Sequence, residues 1–318
     1  MIEKIINSWI SGILRIPAES KLAESLTFFI YDSIKIILLM FVMIAIIGYI
    51  RSYISQKKIR LMLSGRKLGV GNFFASLFGA ITPFCSCSSI PFFMGFVKSG
   101  VPLGVAFSFL ITSPLVNEYL AVIMLATFGW KITLAYIIAG ILIGVIAGMM
   151  LGKMNMDEYI EKEYQAMKTP NEKVFKSQKA RFIFGFNEAI NITKGIWLWV
   201  LAGVGIGAIL HGYVPADLLQ SLIAKGGIFS VIIATFVGVP LYANCAAIVP
   251  IAVVLFQKGV PLGTAIAFMM ATAALSLPEA IILRRVMKLK LIAVFFGIVT
   301  AGIIVLGYIF NFLQAYLI

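Results

Sequence analysis

The sequence predicts an all-α polytopic membrane protein made of two inverted-topology repeats, each with three spanning helices and one re-entrant, broken helical hairpin. Three observations lead there: the apolar runs, an internal duplication and the placement of positive charge. Of the 318 residues, 61% are hydrophobic, and the mean hydropathy is +1.03. Stretches such as IKIILLMFVMIAIIGYI (34–50) and LAYIIAGILIGVIAGMMLG (134–152) suffice to cross about 30 Å of hydrocarbon. A β-barrel would need short strands of alternating hydropathy, a pattern this chain lacks.

The duplication is legible by eye. KSGVPLG at 98–104 returns as QKGVPLG at 257–263. Upstream, TPFCSCSSIP (82–91) faces VPLYANCAAIVP (239–250) once a two-residue insertion is allowed, so Pro91 meets Pro250. Downstream, VNEYLAVIM faces LPEAIILRR with a small gap, which sets Glu118 against Glu279. FIYDSIKIILL against FGFNEAINITKGI places Asp32 opposite Glu188. The expected organisation is an interfacial segment at 1–24, a first transmembrane repeat at 25–152, a charged cytoplasmic linker at 153–180 and a second repeat at 181–318.

Each repeat opens with a span (28–50; 187–211). Two short apolar pieces follow, 70–81 with 86–98 and 227–239 with 245–257. Pieces of this length rise about 18–20 Å, enough to reach mid-bilayer and return. Then come a long span interrupted by Ser, Thr and Pro (101–127; 260–284) and a last span (131–152; 290–314). Hairpins that return to their own side leave an odd number of crossings per repeat and invert the second repeat. The basic stretches RSYISQKKIRLMLSGRK (51–67), 153–180 and RRVMKLK (284–290) then share one side, the cytoplasm. The N-terminal segment, with Lys4, Arg15 and Lys21, is the exception to that rule. The net charge of +13 is therefore read as membrane orientation. Nucleic-acid binding is excluded, since no basic–aromatic module accompanies the charge. The N-terminus lacks the pattern of a cleaved signal peptide. No phosphate-cradling GxxxxGK[ST] occurs, so the energy for any transport comes from a gradient or a partner.

The chemistry-bearing residues gather at the hairpin tips. Irregular backbone at membrane depth is tolerated where it is buried in protein or lines a wet cavity. The three cysteines, Cys85, Cys87 and Cys245, all lie in the two equivalent tips. With Ser86, Ser88, Asn244, Thr112, Ser113 and Asn117 they form the expected substrate-binding set. A helix N-terminus favours an anion or an ionised thiol, and soft thiolates prefer soft partners. The bland alternative is that small cysteines fill a tight bend. Cys-x-Cys with one further Cys is neither a closed zinc set nor a relaxed disulfide. Glu118 and Glu279 sit within the interrupted spans, where a carboxylate is costly. They are the expected proton-coupling pair; the bland alternative is a protonated packing element. Asp32 and Glu188 are read as helix-start charges in the headgroup zone.

TPFCSCSSIP, KSGVPLG, VPLYANC and KGVPLG resemble permeases of the ArsP/YraQ type, the DUF318 family, along nearly the whole chain. The resemblance implies a multi-pass permease of a bacterial or archaeal inner membrane. Some relatives export trivalent organoarsenicals such as methylarsenite, which bind thiols; that substrate suits Cys85, Cys87 and Cys245 as metalloid ligands. The second tip departs from the pattern, carrying Asn244 and Cys245 in place of a Cys-Ser-Cys run. The leading expectation is a non-enzymatic secondary transporter exporting a soft, thiol-reactive solute in exchange for protons. The alternatives are a permease for another small anion or metal species with incidental cysteines, and a membrane thiol redox protein. The last lacks a CxxC spacing and a His near the tips. The expected partners are membrane lipid and a small-molecule or metalloid substrate, with homo-oligomerisation left open and no cofactor.

Overall fold

Helix boundaries in this chain are set by proline and glycine, and the computed structural model shows how. It describes residues 21–53, 69–82, 86–161, 177–213, 223, 226–241, 245–257 and 259–317. The helices are α1 (Lys21–Arg51), α2 (Val70–Ile81), α3 (Ser86–Lys98), α4 (Leu103–Leu115) and α5 (Glu118–Lys153) in the first half. The second half has α6 (Gln178–Tyr213), α7 (Ser230–Gly238), α8 (Cys245–Gln257), α9 (Leu262–Ala274), α10 (Leu277–Leu283) and α11 (Leu289–Leu317). Among the described residues the β structure is one antiparallel bridge between Ile160 and Met287. Among the described residues, four helical stretches are long and apolar enough to cross a membrane: Ser25–Ile46, Leu120–Lys153, Leu262–Leu283 and Leu289–Tyr316. The protein is a multi-pass helical membrane protein.

The duplicated GVP motif is a helix stop joined to a helix start. At the end of α3, Gly100 adopts φ 77°, the left-handed region that glycine enters without a Cβ penalty. Gly100 N–H then donates to Val97 O (3.0 Å) and Val101 N–H to Phe96 O (3.1 Å). This pairing satisfies carbonyls that the helix end would otherwise orphan. Pro102 follows at the N-cap of α4, where a missing N–H costs nothing. The second half repeats the device: Gly259 at φ 88°, Gly259 N–H to Phe256 O and Val260 N–H to Leu255 O, then Pro261 before α9.

Both long spans expected after the hairpins are broken outright. α4 stops at Leu115, Val116 turns away at φ −118°, ψ 87°, and α5 restarts at Glu118. α9 stops at Ala274, and extended Ser276 precedes α10. Pro114 and Pro278 explain the sites, because each removes a backbone donor from its turn. The expected join between the long and last spans of the first half is found at Gly129, whose non-helical backbone (φ 83°, ψ 172°) separates two helical stretches within α5. α1 and α6 begin earlier than 28 and 187, which sets Asp32 and Glu188 more than two turns inside their helices. The reading of those two acids as helix-start charges is corrected accordingly.

Equivalent elements begin 159 residues apart: α3 and α8, α4 and α9, α5 and α10. That spacing holds across both breaks, so Glu118 corresponds to Leu277 and Glu279 to Leu120. The gap needed to pair the two acids is absent. In each half the first short helix packs on the broken span and on the last helix: α2 on α4 and α5, α7 on α9 and α11. The helices meet almost backbone to backbone. A Cβ on Gly104 would lie 2.5 Å from Gly148 O, and Gly263 is similarly closed off by Gly307 O. Small residues at such crossings let helices associate where lipid provides no hydrophobic drive. Between halves, α1 packs on α6, α4 on α9 and α5 on α11. α1 and α6 run antiparallel: Gly48 abuts Gly185, and Phe29 lies against Gly205.

Candidate functional site

The tips are placed by their arms. α2 ends because Thr82 precedes Pro83, which disfavours helical backbone at the residue before it; Thr82 is extended (φ −88°, ψ 131°). Its hydroxyl donates to Phe78 O at 2.8 Å. Cys85 and Asn244 lie outside the described residues. Ser86, Cys87 and Ser88 form the first turn of α3 and Cys245 begins α8, with their side chains outside the described set. The free N–H groups of two half-helices therefore start at the cysteine-bearing motifs. Ser89, in the next turn of α3, is fully buried.

Each first arm lodges against the last turns of the broken helix. A Cβ on Gly79 would lie 3.0 Å from Phe109 O, 3.2 Å from Ser113 N and 3.4 Å from Thr112 Cβ. Gly238 meets Phe268 O, Ala271 Cβ and Thr272 Oγ1, each at 3.0 Å. Thr112 and Ser113 are thus beside the arm of the first tip, both fully buried. The Thr112 hydroxyl donates to Ser108 O at 2.8 Å and lies against Gly144 of α5. That oxygen is engaged in the α4–α5 seam. Asn72 ties the same arm down, its amide donating to Gly104 O (3.0 Å) and Ser108 Oγ (2.9 Å). The second half replaces this with Ser230 Oγ and Thr264 Oγ1 at 2.8 Å, supported by Asn311 Oδ1 accepting from Thr264 N–H.

The breaks adjoin the tips. Leu277 N–H donates to Val239 O at 3.1 Å, so the start of α10 is fastened to the residues entering the second tip. α10 then packs on α3, which begins at the first cysteine-bearing motif, while α5 packs on α8, which begins at the second. Phe128 and Phe256 mark the second contact, their rings 5.8 Å apart. Each half thus sends its broken span to a short helix of the other half. Asn117, half-buried, and Glu118, exposed, open α5. Glu279 is different, only 1% exposed in the first turn of α10. Ser276-Leu-Pro-Glu279 has the S-x-x-E spacing of a capping box. That signal was present in the sequence and gives Glu279 a structural reading, although the Ser276 side chain makes no cap bond.

Sequence reasoning missed two features. Tyr136, fully buried, donates from its hydroxyl to Leu115 O at 2.6 Å, capping the break between α4 and α5. Lys98 and Glu188 line one cavity of about 20 Å³ with Gly48, Pro91 and Ile192, between α1, α3 and α6. Glu188 Oε2 is sealed from solvent there, 3.2 Å from where a Gly48 side chain would begin. The cavity joins the two halves, Lys98 coming from the first and Glu188 from the second, and Lys98 has Gln257 as its repeat counterpart.

Broken helices crossing between two like halves define a polytopic membrane protein of transporter type. The chain belongs to the ArsP_1 family, described as "Predicted permease", which matches residues 21–312. It is 25% identical over 197 residues, 61% of this chain and 65% of the relative, to the "Putative two-component membrane permease complex subunit" of Streptococcus mutans. It is 20% identical over 74% of its length, and 80% of the relative, to UPF0718 protein MJ0584 of Methanocaldococcus jannaschii. UPF0718 protein YcgR of Bacillus subtilis is 30% identical over 42% of this chain and 46% of its own length. The chain therefore spans less than two thirds of the first and third of these relatives. No solved structure matches.

Proposed function

We propose that the protein is an inner-membrane secondary transporter that exports a soft, thiol-seeking solute such as a trivalent organoarsenical, coupled to proton entry. The observation that carries this reading is the reciprocal arrangement of breaks and tips: α10 against α3 and α5 against α8. In it the halves are inverted repeats, 25–152 and 181–318, whose hairpins enter from opposite faces and return. Cys85, Cys87 and Cys245 ligate the solute, with Ser86, Ser88, Asn244, Ser113 and Asn117 around it; Thr112 shapes the wall behind them. Glu279 is the principal proton carrier, because it is the buried acid of the pair. Glu118 is an accessory entry point. The Streptococcus relative is described as a subunit of a two-component complex, which supports a second membrane subunit, or a second copy of this chain, as a partner.

The test is uptake of methylarsenite, arsenite and antimonite into inverted vesicles from cells lacking arsenic exporters. Cys85, Cys87 and Cys245 are each changed to Ser. Transport that disappears with any one thiol supports the reading. Transport retained in all three assigns recognition to the helix N-termini and serines, and a different small anion or metal species as cargo. Thiol turnover without solute movement would point to redox chemistry instead.

A further inference from the structure

The short helix α10 is held at both ends. Its first N–H is bonded to Val239, at the entry to the second tip. Its last residues run into a clasp made by the segment following α5. The chain leaves Lys153, reverses at Asn155 (φ 48°) and forms a single turn at Asp157–Tyr159. It then pairs with the turn between α10 and α11. Glu161 N–H donates to Val286 O (2.9 Å) and Lys288 N–H to Tyr159 O (2.7 Å), flanking the Ile160–Met287 bridge. Arg284 Nη1 meets Glu161 Oε1 at 3.0 Å. Lys290 Nζ donates to the Tyr159 hydroxyl at 2.9 Å, and Lys288 and Lys290 both approach the face of the same ring.

Three features distinguish this from a passive surface contact. It joins the two halves, because Tyr159–Glu161 continue from α5 and Arg284–Lys290 connect α10 to α11. Its two segments carry opposite charge: Asp157, Glu158 and Glu161 on one, Arg284, Arg285, Lys288 and Lys290 on the other, with Glu161 and Arg284 in direct contact. Ile160 and Met287 at its centre are buried, 2% and 0% exposed, so the backbone pairing is anchored in the core. A seven-residue helix with both ends fixed has little freedom to tilt or shift on its own.

We propose that Glu161 and Arg284 are positioning residues: through α10 their ion pair sets the placement of Glu279 and of the second hairpin tip. The clasp acts more strongly on the second tip, to which α10 is hydrogen-bonded through Val239, than on the first, whose arm α3 it meets by packing. This role rests on the permease reading of the second tip, but its test needs no substrate, so the two can fail separately.

The experiment is thiol labelling of the purified full chain in detergent. Cys85→Ser with Cys87→Ser leaves Cys245 as the one thiol, and Cys245→Ser leaves the first tip's pair. Into each background go Glu161→Arg, Arg284→Glu and the double exchange. The expected result is a several-fold change in maleimide labelling rate at Cys245 in each single variant and near-original rates in the double exchange. Cys85 and Cys87 change less than Cys245 throughout. An unchanged Cys245 rate, equal changes at both tips, or a double exchange that fails to restore it overturns the proposal. Should a charge-reversed variant fail to fold, Glu161→Gln and Arg284→Gln, which break the ion pair with little change in side-chain volume, give the same readout: a change larger at Cys245 than at the first tip supports the role, and no change sinks it.

Discussion

Tyr136 caps the carbonyl of Leu115, the last residue of α4, with a 2.6 Å hydrogen bond inside the protein. The corresponding position in the second half is Phe295, also buried. A phenylalanine therefore fits the site sterically while leaving the carbonyl without this donor. Tyr136→Phe should destabilise the protein by about 1–2 kcal/mol, the usual loss when a buried acceptor loses its partner. Thermal unfolding in detergent reads this directly, and an unchanged midpoint would show that another donor takes over.

Helix contact through glycine gives a paired prediction. A Cβ on Gly148 would fall 2.6 Å from Gly104 O and 2.9 Å from Ser108 N, whereas a Cβ on Gly297 meets nothing within 4 Å. Gly148→Ala should cost about 1–3 kcal/mol through forced separation of α4 and α5. Gly297→Ala should range from neutral to about 1 kcal/mol stabilising, because it only removes backbone freedom. Equal effects at the two sites would contradict the packing described.

Lys98 and Glu188 share their cavity across three helices. Lys98 is also the last residue of α3, where a cation is favoured by the helix end alone. Charge exchange separates the two roles. Lys98→Glu should lower stability by on the order of 1 kcal/mol, since both side chains are half-buried. Adding Glu188→Lys should recover most of that loss if the residues answer each other, and should deepen it if each serves its own helix. Unfolding of the original, the Lys98→Glu and the double-exchange proteins at one pH and low salt decides it.

The two acids of the broken spans should behave unequally. On the proposed coupling, Glu279→Gln leaves transport at its rate without a pH gradient, while Glu118→Gln retains most of the gradient response. Glutamine preserves the capping-box spacing, so Glu279→Gln should cost no more than about 1 kcal/mol of stability. A variant that folds normally and still responds fully to the gradient would remove Glu279 from the mechanism.

Much of this architecture can be read from residue order. The short helices at 70–81, 86–98 and 245–257 fall where the apolar pieces between Pro, Gly and Ser clusters place them, because those residues act locally on backbone angles. KSGVPLG and QKGVPLG are legible for the same reason. The breaks after Leu115 and Ala274 were visible as Ser/Thr/Pro interruptions, but a proline inside an apolar run signals a kink as readily as a stop. Which one occurs depends on bonds such as Tyr136 to Leu115 and Leu277 to Val239, made by residues 21 and 38 positions away. Glu188 was misread because a charge near the start of an apolar run resembles an interfacial residue. The polar N-terminal turns of α6 (QKARFIFGF) extend the helix beyond what hydropathy alone delimits.

A Cβ at Gly79, Gly104 or Gly148 would meet the backbone of α4 or α5, and one at Gly238, Gly263 or Gly307 that of α9 or α11, so α2, α4 and α5 approach closely, as do α7, α9 and α11. Such trios are welded: sliding one member would drive carbonyls into one another. On the proposed transport, each trio is expected to move as a unit, and the displacement to fall at the side-chain contacts between trios.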